Sequence, residues 1–188
     1  IPAFDTNPTY TCADSAYGCW TAVALVVRNE FATAGSFNNQ AVANDWAIAI
    51  VGSGGKTSTS GVQLDTAVGR GYPLGIDVAA KGATLDAFGY PAASPYRGSD
   101  LVYCEGAIVE DAQTSNQTWG MPCNMTGGSS GGPWLSGFTA AGGGKVSSLN
   151  SYGYGKQAVM YGPKFNSRTA ATYDAALKTT VNTKVSGA

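Results

Sequence analysis

The chain has 188 residues, of which only 12% are charged, with a net charge of −1 and an isoelectric point near 5.2. That balance offers no basic field for nucleic acid or an anionic membrane surface, and no apolar run approaches the ~20 residues of a membrane-spanning helix. An apolar fraction of 44%, with aromatics spread along the whole length, argues for a packed core rather than disorder.

Residues 1–18 read as loop, broken by two prolines, Asn7, Asp14 and Gly18. The stretch 19–31 (CWTAVALVVRNEF) is β-rich and predicts a strand. After a polar Gly-Ser-Asn-Asn loop, 45–51 (DWAIAIV) predicts a second, compact strand with an aspartate at its mouth. The segment 52–61 (GSGGKTSTSG) reads as a flexible connector and places a boundary between two half-molecules. Short strands then recur at 84–90, 101–109, 132–135, 145–152 and 157–161, the spacing of an antiparallel barrel or sandwich. Only the tail reads as helical: Ser167 caps a run, 168–179, that brings alanines, Tyr173 and Leu177 to one side.

The strand count is uneven. Residues 62–166 hold enough strands for a closed barrel, whereas 1–61 supply two or three, a sheet that leaves open edges and is marginal alone. The first half therefore reads as incomplete. A chain starting at Ile1, without an initiator methionine or a signal peptide, reads as processed or as a fragment.

Four cysteines (Cys12, Cys19, Cys104, Cys123) permit three pairings, and spacing alone does not choose among them. Cys12–Cys19 with Cys104–Cys123 is preferred, because the first pair sits in one short turn-rich loop. An even cysteine count and few charges fit a secreted, oxidising setting. No metal or other cofactor is expected, since the chain has no histidine and no C-x-x-C pair. Two glycosylation triplets begin at Asn116 and Asn124, while the one at Asn7 is excluded by its proline.

The stretch that carries chemistry is 123–134, CNMTGGSSGGPW. Gly127 and Gly128 permit positive φ, so that the amides of Gly128 and Ser130 can converge on a developing oxyanion. Gly131 and Gly132 admit a close neighbour, and Pro133 fixes the exit into the next strand. Ser130 is thus a candidate nucleophile, yet a serine hydroxyl needs a base to take its proton, and that base is usually histidine. This chain has none.

Five stretches give the chain a resemblance to the chymotrypsin-fold, trypsin-like serine endopeptidases of secreted microbial type: NDWAIAIV (44–51), DAFGYPAASPY (86–96), LVYCEGAI (101–108), MPCNMTGGSSGGPW (121–134) and SSLNSYGY (147–154). The resemblance implies an all-β fold of two antiparallel six-stranded barrels with a C-terminal helix. Residues 1–61 would form part of the first barrel, 62–166 the second, and 167–188 the helix and tail. It further implies Ser130 as nucleophile, Gly128 and Ser130 as oxyanion hole, and Asp45 as the carboxylate that orients the histidine. Ser151, Tyr152 and Gly153 would pair with substrate backbone, and Asn124 would floor the pocket for the residue before the scissile bond. An Asn124 in that pocket would leave its triplet unglycosylated and Asn116 the remaining glycosylation site.

Two departures from the family pattern stand out. Ser129 replaces the aspartate that in animal members pairs with a new N-terminal isoleucine, so Ile1 has no acidic partner there. The family's histidine belongs to the first half-barrel, upstream of the stretch that begins this chain. One cause would explain both the missing base and the missing strands: a smaller N-terminal chain of the same precursor carries the histidine. The competing expectation is a catalytically silent, protease-like binding or effector protein.

Overall fold

A computed structural model of the chain describes residues 1–2, 11–57, 61–155 and 157–187. Asn7 and residues 58–60 of the expected connector lie outside them. Among the described residues ten strands and four α-helices follow in order: β1 (Ala22–Arg28), α1 (Asn29–Ala32), α2 (Asn39–Val42), β2 (Ala47–Val51), α3 (Leu64–Val68), β3 (Thr84–Gly89), β4 (Val102–Ala107), β5 (Val109–Glu110), β6 (Thr118–Pro122), β7 (Pro133–Ser136), β8 (Lys145–Leu149), β9 (Val159–Pro163), α4 (Ser167–Ala176) and β10 (Thr183–Val185). The architecture is mostly β, as expected.

The second half holds two sheets, ordered β4-β3-β7-β8 and β5-β6-β9. A single run bent at the buried Ile108 supplies both β4 and β5, and so crosses from one sheet to the other. On the opposite side β8 packs against β9. Strand alternation explains the core: in β3, Leu85 and Ala87 face inward and are wholly buried, joining Ile108, Trp119, Met121, Met125, Trp134 and Met160. The disulfide Cys104–Cys123 ties β4 to the residue that follows β6.

The first half is a three-stranded sheet, β10-β1-β2. Ala24, Val26 and Arg28 form the buried face of β1, while Val23 and Leu25 on its other face are 58% and 45% exposed. Helix α4 packs on β1 and β2. The fully buried Arg28 donates to Glu30 Oε1 at 2.7 Å and to the Gly187 carbonyl at 2.8 Å, stitching the C-terminus to this sheet. The second disulfide, Cys12–Cys19, closes the loop before β1.

Several expectations need correction. The strand expected over 19–31 stops at Arg28 and turns into α1, and the one over 101–109 breaks into β4 and β5. Helices α1 to α3 and strands β6 and β10 are additional to the expected elements. Asn166, not Ser167, caps α4, accepting from the Arg168 amide in a reciprocal capping box with Thr169. The buried face of α4 is Thr169, Thr172 and Ala176, while Tyr173 and Leu177 point to solvent. The residues that α4 buries are small, and a search for large apolar residues misses them.

Asp86 and Glu105 lie directly opposite each other on β3 and β4. Burial, and then the charge of Glu105, raise the Asp86 carboxyl above its ordinary value of 3.8. A raised folded value means that this residue favours folding when protonated and opposes it as pH rises through that value. Asp86→Asn is therefore expected to raise stability at pH 7 by up to about 1 kcal/mol. Thermal unfolding at descending pH should show the gain fading as the carboxyl protonates towards 3.8.

Candidate active site

The glycine-rich turn leaves β6 and enters β7, whose first residue is Pro133, a position where the missing amide costs no ladder bond. Gly128 has φ of +104°, and a Cβ there would lie 2.7 Å from the Ala92 nitrogen, so no other residue fits. Gly131 is also left-handed, whereas Gly127 is not. The turn rests on the 91–98 loop, where the Ala92 and Ala93 amides donate to the Gly127 carbonyl at 2.8 and 2.9 Å. Thr126 Oγ1 donates to the Ala93 carbonyl at 2.7 Å.

The amides of the turn divide into two groups. Those of Ser129, Gly131 and Gly132 donate within the protein, to the carbonyls of Thr126, Asn150 and Ser129. The amides of Gly128 and Ser130 have no acceptor among the described residues. Two free donors flanking an exposed serine hydroxyl are what an oxyanion requires. Ser129, in contrast, is buried, and its hydroxyl donates to the Thr126 carbonyl at 2.9 Å.

Ser130 opens onto a cavity of about 490 Å³. Asn124, Ser151, Tyr152 and Gly153 line the same cavity, so the structure brings these expected site residues together. Asp45 enters from the other half of the molecule, at the mouth of β2. Its Oδ2 accepts from Ser151 Oγ at 2.5 Å, across 106 residues of sequence. Among the described residues no cation pairs with this half-buried carboxylate. Sequence reasoning missed the Ser151–Asp45 bond, since no local pattern signals a pairing at that range.

The 151–153 segment is shaped by its inner neighbour. The Ser151 and Tyr152 amides donate to the Tyr161 carbonyl, and the Tyr161 amide returns a bond to Tyr152. The Ser151 carbonyl and both backbone groups of Gly153 take no partner among the described residues, which leaves an open edge beside the cavity. Tyr152 is anchored from behind: its hydroxyl donates to Asp111 Oδ2 at 2.6 Å, and Tyr154 donates to the same oxygen at 2.9 Å. Burial, followed by the bond to Asp111, pushes the Tyr152 phenol far above its usual range, so it remains a neutral donor. Asp111 and Tyr154 carried no sequence signal for this role.

Asn124 is exposed to the cavity and its Oδ1 accepts from the Tyr96 hydroxyl at 3.0 Å. None of the described lining residues carries a charge. Asn116 is exposed in a separate turn with φ of +62°. Among the described residues no three acidic, cysteine or histidine side chains gather as a metal site, and no helix is long and apolar enough to cross a membrane.

No family model and no curated protein sequence matches the chain. Solved structures do. The thermostable serine protease AL20 from an extremophilic microorganism is 37% identical, with a TM-score of 0.75, over 91% of this chain and 73% of that one. Protease Anisep from Arthrobacter nicotinovorans is likewise 37% identical, with a TM-score of 0.74, over 90% of this chain and 72% of its own. A Glu endopeptidase shares the fold at 13% identity, with a TM-score of 0.65, over 90% of this chain and 69% of that one. Identity at this level over most of both chains is more than a shared scaffold, and it agrees with a serine held beside two free amides: the chain belongs to the chymotrypsin-fold serine proteases.

Proposed function

We propose that this chain is the larger part of a secreted serine endopeptidase whose histidine is carried by a separate N-terminal chain of the same precursor. The observation that carries the proposal is that Ser130 shares one cavity with Ser151, whose hydroxyl bonds Asp45, and lies beside the free amides of Gly128 and Ser130. In this reading Ser130 attacks the peptide carbonyl while the histidine takes its proton and passes it to the leaving amine. Asp45 holds the imidazole in the correct tautomer, and the two amides bind the tetrahedral oxyanion. Substrate backbone pairs with the open edge of 151–153.

Three features support docking of a further segment beside Asp45. Strand β2 is a sheet edge, Val23 and Leu25 of β1 face solvent, and Asn44 Oδ1 and Trp46 Nε1, on either side of Asp45, are buried without a partner among the described residues. Two disulfides agree with an extracellular protein, and the exposed Asn116 would be its glycosylated residue. Native mass spectrometry with peptide sequencing tests the partnership. A histidine-containing polypeptide travelling with this chain supports it. A folded chain travelling alone would favour the silent binding protein instead.

The neutral cavity also sets an expectation for specificity. With Oδ1 of Asn124 engaged by Tyr96, its amide NH₂ is left for the substrate, and no carboxylate among the described lining residues attracts Arg or Lys. Asn124→Asp should shift preference towards Arg and Lys before the scissile bond by about 10- to 100-fold in relative kcat/KM. A panel of peptides differing only at that residue measures it, and an unchanged ranking would remove Asn124 from the pocket.

A further inference from the structure

A turn containing four glycines has little intrinsic stiffness, yet oxyanion amides act only if they are fixed before the substrate arrives. Among the described residues no charged side chain is hydrogen-bonded to this turn, and Ser129 within it is neutral and bonded locally. We infer that Asn150 is the residue that holds the nucleophile turn in its reactive shape, a positioning role that rests on the reading of Ser130 as nucleophile.

Asn150 is 1% exposed and lies just past β8, next to Ser151. Its Nδ2 donates to the Ser129 carbonyl at 3.1 Å and to the Phe88 carbonyl at 2.8 Å. Its Oδ1 accepts from Trp134 Nε1 at 2.7 Å. This arrangement fixes the amide's orientation, since two carbonyls require donors and an indole N–H requires an acceptor. The backbone of Asn150 adds two bonds, accepting from the Gly131 amide and donating to the Gly132 carbonyl, each at 2.8 Å. The residues directly before and after Ser130 are therefore both bonded to Asn150, as is the residue following.

Gly132 is part of the same device. A Cβ there would lie 2.7 Å from Asn150 Nδ2 and 1.9 Å from the Phe88 carbonyl oxygen, so its bare backbone admits the carboxamide. The next residue along, Ser151, reaches Asp45. The dipeptide 150–151 thus ties the nucleophile turn and the orienting carboxylate to one point of the chain, and both lose their register if Asn150 shifts.

The test uses the enzyme expressed from its complete coding sequence. Asn150→Ala should lower kcat on a peptide amide about 10- to 100-fold, with KM changed by less than about 3-fold, because the loss falls on the transition state. A peptide boronate, which bonds to Ser130 and needs the oxyanion amides, should bind more weakly by a similar factor. A non-hydrolysable peptide that only occupies the cleft should bind as before. Trp134→Phe keeps an aromatic ring but removes the N–H to Asn150 together with part of the buried indole. Its expected loss in kcat is about 3- to 10-fold, and if Asn150→Ala does not fold it decides the matter, because lost positioning weakens the boronate more than the cleft-binding peptide. Native kcat in a folded variant, or equal weakening of boronate and cleft-binding peptide, overturns the inference and leaves Asn150 a packing residue. A wild-type enzyme that neither hydrolyses peptide nor binds boronate overturns the nucleophile reading first, and this inference with it.

Discussion

Ser130→Ala is expected to reduce peptide hydrolysis by the enzyme about 10⁴- to 10⁶-fold while leaving the unfolding temperature within a few degrees of wild type. The side chain is exposed at the lip of the cavity, so losing its oxygen opens no void and strands no buried partner. What remains is the preorganised amide pair and the binding edge, which alone give weak catalysis over water. Peptide release from an unfolded protein substrate, measured beside thermal denaturation, separates the two effects. Activity surviving within 10-fold of wild type would mean that another residue attacks the carbonyl.

Asp45→Asn is the second large effect, expected near 10⁴-fold in kcat with little change in KM. The carboxylate accepts from Ser151, and an amide of the same shape can keep that one bond. In the proposed mechanism it could not stabilise the partner's imidazolium, and it would favour the wrong tautomer of the imidazole. Steady-state kinetics on one peptide amide checks this. A loss confined to KM would place Asp45 in substrate binding instead.

The readable parts of this molecule are those whose physical cause is local. A tight turn needs glycine at Gly128 whatever surrounds it, and Gly-Ser-Ser-Gly-Gly-Pro announces that turn by itself. Alternation in 84–90 marks a half-buried strand because side chains switch faces at every residue. The pairings that align the site are not local. Ser151 meets Asp45 over 106 positions and Asn150 meets Phe88 over 62, and a serine or asparagine looks the same in the sequence whether its bonds are structural or point to solvent. The tail shows the same limit. Its buried face is Thr169, Thr172 and Ala176, small residues that carry no strong apolar signal, so the large residues Tyr173 and Leu177 pointed to the wrong side. Strand β10 is short and pairs in parallel with β1, a contact made by the return of the chain rather than by any periodicity.

The account stands most directly on the reactivity of Ser130. Treating the enzyme, expressed from its complete coding sequence, with a fluorophosphonate at neutral pH and mapping the adduct by peptide mass spectrometry measures it. One phosphonyl group on Ser130, absent from the 188-residue chain alone, is the expected result: a serine with its oxyanion amides in place and a base supplied from outside this sequence. No adduct on a folded enzyme, or an adduct on another serine, would contradict the account.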